Sequence, residues 1–146
     1  RGLGDVYKRQ LIFYFLLLWQ LPLSLPLPVL CATALCADCW SKFCASQIIN
    51  YLPYARPEAE SKAKVVYSGM SRGEGITAFV SGILPLFFLL PLRTWPATAV
   101  PLFTFLLLQS LMRKRLQGYT GDCCGAMFLL CELSFYLSAA IIWNLY

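Results

Sequence analysis

Charge in this chain is confined to clusters, and the uncharged intervals between them decide what it can fold into. No Asp, Glu, Lys or Arg occurs from Leu11 to Ala37, from Gly75 to Leu92 or from Thr94 to Met112, and only Glu132 interrupts the run from Cys123 to Tyr146. Counted inclusively, these intervals are 27, 18, 19 and 24 residues long, and roughly 20 apolar helical residues cross the hydrocarbon core of a bilayer. Of the 146 residues, 59% are apolar and 13% charged, where a soluble domain carries about 25% charged residues to coat its surface. An ordinary water-soluble enzyme is excluded. The pattern predicts an all-α, polytopic transmembrane helix bundle of about four to five membrane helices in contact with lipid.

Residues 1–10 are set apart. Arg1-Gly2-Leu3-Gly4-Asp5-Val6-Tyr7-Lys8-Arg9-Gln10 looks like the in-frame translation of a transposase adapter from a sequencing library, a non-native scar that fold reasoning excludes. Residues 11–146 are then expected to be the C-terminal part of one integral membrane domain. Helices are predicted at about 11–20, 28–51, 75–90, 97–112 and 122–144. The prolines at 22, 26 and 28 break the first two apart, since each lacks a backbone donor and clashes with the preceding turn. Loops at about 54–74 and 113–121 fall on one side of the membrane and hold Arg56, Lys62, Lys64, Arg72, Arg113, Lys114 and Arg115, against Arg93 alone on the other. The lysine and arginine excess assigns that side to the cytoplasm of a multi-pass protein.

Three features of that face and its spans can carry chemistry. In Gly118-Tyr119-Thr120-Gly121-Asp122-Cys123-Cys124-Gly125-Ala126 a glycine-punctuated turn delivers Thr120 and Asp122 to the start of an apolar helix. Free N–H groups at a helix start attract anions, and a carboxylate there can hold a hard cation through oxygen. The plainer alternative is a threonine or aspartate N-cap after a flexible turn. The polar connection around Tyr54, Arg56, Glu58 and Lys62 could contact phosphate, because arginine clamps phosphate oxygens bidentately and lysine adds a point charge; alternatively it is a solvated loop. Within the spans, Asp38 and Lys42 stand four apart and can pair on one face, whereas Glu132 has no evident partner on its own helix. Intramembrane ionisable residues are functional candidates by default.

Other classes recede. Cys31, Cys36, Cys39 and Cys44 cluster, but on one helix they cannot converge tetrahedrally on an ion, and a chain without histidine offers no nucleophile–histidine pair. Small buried hydrophobes are the expected role for these cysteines. Basic residues too few and too close to spans give no support for nucleic-acid binding.

Gly118-x-Thr120-Gly121-Asp122-x-x-Gly125-Ala126, with Glu132-Leu133 downstream, resembles the C-terminal signature of the cobalamin synthase (adenosylcobinamide-GDP ribazoletransferase) family. Leu52-Pro53-Tyr54-Ala55-Arg56-Pro57-Glu58 is similar to that family's Pro-Tyr-Ala-Arg stretch with a following acid, and Ser41-Lys42 falls where the family shows Ser-Arg. Gln117 stands where a second glycine is usual. The resemblance covers about residues 11–146. It implies an inner-membrane transferase that joins adenosylcobinamide-GDP to α-ribazole, or its phosphate, with release of GMP and with Mg²⁺ as cofactor. It further implies Asp122 as catalytic metal ligand or acceptor from metal-bound water, Thr120 and Gly121 shaping the phosphate turn, and Arg56, Lys62, Tyr54, Glu58 and Lys42 on substrate phosphate. Glu132 and Gly118 would support them. The family's upstream His-x-Asp-Gly-x-x-Asp motif is absent, so the chain alone is expected to be inactive. Oligomeric state is open. The rival is a transporter or channel module in which Glu132, Asp38 and Lys42 line a pathway.

Overall fold

The computed structural model describes residues 12, 14–19, 24–55 and 69–145. Helix α1 runs over Leu27–Ser46 and, after a turn at Gln47, continues as the short α2, Ile48–Tyr51. Helix α3 spans Arg72–Leu89, a 3₁₀ segment covers Leu92–Thr98, α4 spans Ala99–Leu116 and α5 spans Gly121–Leu145. Residues 14–19 are also helical. Four stretches, Leu27–Tyr51, Arg72–Leu89, Leu92–Leu116 and Gly121–Leu145, are long and apolar enough to cross a membrane.

Local chemistry places the boundaries. Pro28 sits in the first turn of α1, where its missing N–H costs no helical hydrogen bond. Helix α3 opens with a reciprocal cap: the Glu74 N–H donates to Ser71 Oγ at 3.3 Å, and the Ser71 N–H donates to the Glu74 carboxylate at 2.7 Å. That cap starts the helix at Arg72, three residues before the expected 75. Two further expectations are corrected. The turn at 91–96 is a 3₁₀ segment leading straight into α4. The basic loop at 113–121 shrinks to four residues, because Arg113, Lys114 and Arg115 form the last turn of α4. Both cation types are good helix formers and favour the negative end of the helix dipole. The side of the membrane they occupy does not change.

Helix α1 is central, packing against α3 on one flank and α5 on the other, with α4 and the 3₁₀ segment against α5. Its buried residues Thr33, Cys36, Ala37, Trp40, Ser41, Cys44 and Ala45 recur every three to four positions, the spacing of one helical face. Met127, Cys131, Phe135 and Ala139 answer them from α5, each fully buried. Gly82 brings α3 close to α1, since a Cβ there would lie 2.8 Å from Phe43 Cβ. Otherwise α3 buries only Leu86, and exposed Phe79, Phe87 and Phe88 suit lipid contact.

At the end away from the basic residues, Arg93 donates to the Trp143 carbonyl at 2.7 Å and lies 4.8 Å from that ring, while Trp40 Nε1 donates to the Thr98 carbonyl at 2.9 Å.

Candidate functional site

Two segments 65 positions apart meet at the basic end. The Tyr119 N–H donates to the Pro53 carbonyl at 2.9 Å and the Ala55 N–H donates to the Tyr119 carbonyl at 2.8 Å, a single parallel bridge pairing Tyr54 with Tyr119. Their rings meet edge to face, with centroids 5.5 Å apart and planes at 75°. Gly118 makes this possible: a Cβ there would stand 2.7 Å from the Pro53 oxygen and 2.9 Å from Ala55 Cβ, closer than real contacts permit. Gln117, just before it, has φ +53°, the left-handed region that glycine enters most readily. The position where Gln117 replaces a more usual glycine is thus the one where the backbone turns out of α4.

The bridge hands the chain to α5. Thr120 Oγ1 accepts the Cys123 N–H at 3.3 Å, and the Thr120 carbonyl accepts the Cys124 N–H at 3.0 Å, so threonine is the N-cap. Asp122 lies exposed in the first turn, where a negative charge is favoured. Gly121 has an ordinary backbone, and a Cβ there would meet nothing within 4 Å.

Beneath the bridge a cavity of about 380 Å³ opens between α1 and α5, with Lys42, Tyr54, Tyr119, Gly121, Cys124 and Phe128 among its walls. The Lys42 ammonium is 2.8 Å from the Asp38 carboxylate and 5.7 Å from the Phe128 ring centroid. The expected Asp38–Lys42 pair is therefore formed, at the mouth of the cavity.

Glu132 is elsewhere. It is 8% exposed, and its two carboxylate oxygens accept the hydroxyls of Tyr14 at 2.9 Å and Tyr136 at 2.8 Å. The expectation that it lacks a partner on its own helix is corrected: Tyr136 is that partner, one turn along, at the i, i+4 spacing at which side chains meet.

Of the residues singled out from sequence, Lys42, Tyr54 and Gly121 line one cavity, Gly118 admits the bridge above it and Thr120 caps the helix that follows, while Asp122, next in the chain to Gly121, is not among its walls. Arg56, Glu58 and Lys62 lie outside the described residues. Sequence reasoning missed Tyr119, Cys124 and Phe128 as wall residues. The last two were discoverable, since positions 121, 124 and 128 share a helical face. Tyr119 had no such signal. Among the described residues no three of His, Cys, Asp and Glu cluster in metal-binding fashion. Cys36, Cys44 and Cys131 are buried and all seven thiols are free.

The family model described as cobalamin-5-phosphate synthase matches residues 8–140. The chain belongs to the cobalamin-5-phosphate synthase family. Relatives named adenosylcobinamide-GDP ribazoletransferase include one from Shewanella sp. (strain W3-18-1), 33% identical over 98% of this chain and 56% of its own length. Another, from Polaromonas sp. (strain JS666 / ATCC BAA-500), is 34% identical over 64% of this chain and 35% of its own length. A third, from Shewanella baltica (strain OS185), is 31% identical over 98% of this chain. The chain spans about half the length of the Shewanella relatives, 56% in each case. No solved structure matches it. Membership of this family does not favour the transporter reading.

Proposed function

We propose that the protein works as an adenosylcobinamide-GDP ribazoletransferase in the bacterial inner membrane, with its reacting face in the cytoplasm. In this reaction a hydroxyl oxygen of α-ribazole, or its phosphate, attacks the phosphorus next to the cobinamide. The bond from that phosphorus to the bridging oxygen breaks, GMP leaves with that oxygen, and the hydroxyl proton passes to solvent. The observation that carries the reading is the bridge through Tyr54 and Tyr119, which joins the two family-like segments into one roof beside Asp122. An aqueous side with Arg72, Arg113, Lys114 and Arg115 near the span ends supports a cytoplasmic face through the positive-inside bias.

The residues divide the work by chemistry. Lys42 at the cavity mouth offers a point charge to phosphate oxygens, held in place by Asp38. Thr120 fixes the start of α5, whose positive dipole end favours an anionic group. Arg56, Lys62 and Glu58 are proposed to complete the phosphate contacts from the adjoining connection. Asp122, exposed in the first turn next to the wall residue Gly121, is the acid assigned here to Mg²⁺, an ion held by one or two carboxylates together with water and substrate phosphates. When bound, the ion would offset negative charge on the diphosphate.

The test is Mg²⁺-dependent GMP release from adenosylcobinamide-GDP in membranes carrying the full-length protein with α-ribazole supplied. Release that requires both substrates supports the reading. Its absence in well-folded protein overturns it.

A further inference from the structure

Resting on the proposed transferase reading, a finer assignment concerns which part of which substrate enters the cavity. We propose that the cavity beneath the Tyr54–Tyr119 bridge takes the planar, weakly polar base of the nucleoside substrate, and not the guanine of the GDP-linked one. At about 380 Å³ it lies at the lower end of the range of small-molecule sites, roughly 300–1,000 Å³. That is room for a bicyclic base and part of its ribose, and too little for a corrinoid macrocycle.

Wall chemistry narrows the choice. Three aromatic rings, Tyr54, Tyr119 and Phe128, share the cavity with Ile48 and Ile49. The two tyrosine rings stand at 75° to each other and form a corner, and Phe128 carries the Lys42 ammonium 5.7 Å from its centroid. A flat, largely hydrocarbon heterocycle gains from such surfaces by stacking and by leaving water.

Guanine has the same flatness but a densely polar edge, which needs several hydrogen-bonding partners when buried. Few polar side-chain groups line the cavity, namely the Tyr54 and Tyr119 hydroxyls, Ser46 Oγ and the Lys42 ammonium, fewer than the several partners that edge requires. Ser46 Oγ donates to the Phe43 carbonyl at 2.7 Å and accepts from Gln47 Nε2 at 3.4 Å, while Lys42 is held on Asp38 at 2.8 Å. Gly121 lines the rim at the start of α5, so a base seated among the rings directs its ribose toward the first turn that holds Asp122. The acceptor hydroxyl then lies on the side where phosphoryl transfer is proposed.

Cys124 supplies the test, because it lines the cavity while the adjacent Cys123 does not and is instead bonded to Thr120 Oγ1. The full-length protein in lipid nanodiscs is treated with a small thiol reagent, and alkylation at each cysteine is followed by peptide mass spectrometry. A benzimidazole riboside at ten times its dissociation constant is expected to slow labelling of Cys124 about tenfold by simple occupancy, leaving Cys123 unchanged. GMP is expected to have no effect. Phe128→Ala removes one stacking face and is expected to raise the riboside's dissociation constant about tenfold, leaving only about twofold slowing at the same concentration.

Protection of Cys124 by GMP in place of the riboside, or by neither, overturns the assignment. GMP release measured on the same nanodiscs separates the two readings. Turnover with no riboside protection sinks the cavity assignment alone, and riboside protection with no turnover sinks the transferase reading alone.

Discussion

Helix α5 carries two carboxylates in opposite surroundings. Asp122 is exposed in the first turn, next in the chain to the cavity-wall residue Gly121. Glu132, ten residues and about 15 Å further along, is buried with each oxygen accepting a tyrosine hydroxyl. Both are acids within a membrane helix, and composition does not distinguish them. Their surroundings do. A carboxylate that accepts two hydroxyls inside the bundle ties helices together, whereas one exposed at a helix end can be reached from water. Intramembrane charge is therefore an incomplete guide to chemistry, because an ionisable group can be wholly absorbed by packing.

The sharpest way to break this contrast is Asp122→Asn. If Asp122 acts on the reacting phosphates, turnover should fall about a thousandfold, the upper range for removing one group that stabilises developing charge. The melting temperature in detergent should stay within a degree or two of the parent, and near-normal GMP release would end the assignment. Glu132→Ala should show the reverse pattern. The buried Tyr136 hydroxyl and the half-buried Tyr14 hydroxyl lose their acceptor, a cost of about 2–3 kcal/mol, seen as a lower melting temperature. A fully stable Glu132→Ala protein without activity would transfer the catalytic role from Asp122 to Glu132.

A smaller effect is expected at the roof. Gly118→Ala forces a methyl against the Pro53 oxygen and should destabilise by about 1–2 kcal/mol, as overpacking does, with weaker substrate binding as the bridge opens. Gly121→Ala is its control for stability, since space there is open; an equal loss of stability in both variants would show that the roof is not what Gly118 protects. Smallest of all, Gln117→Gly relieves a left-handed backbone and should raise stability by roughly 0.5–1 kcal/mol, measurable as a modest rise in the same thermal scan.

Much of this was legible in the chain. Long uncharged intervals located three of the four spans, and prolines bounded the one at Leu27–Tyr51, because a bilayer core admits no unpaired backbone and few charges. Asp38 and Lys42 could be paired from spacing alone, since a helix places i and i+4 side by side. Thr120 was legible as an N-cap candidate from its place before an apolar run. The extent of the last turn of α4 was not, because basic residues serve a helix end and a loop equally well. The partnership of Glu132 was half legible: Tyr136 follows from helical spacing, but Tyr14 lies 118 positions away.

By itself, the sequence determined that this chain is a helical membrane protein and roughly where its spans lie, because those follow from hydrophobic length. Only the tertiary structure decided that Pro53 and Tyr119 share hydrogen bonds, that Phe128 and Cys124 face Lys42 across a cavity, and that Glu132 is taken up by tyrosines. Such contacts depend on how separate helices dock. Docking is set by shape at close range, as where Gly118 admits the Pro53 carbonyl, and linear order carries no such information.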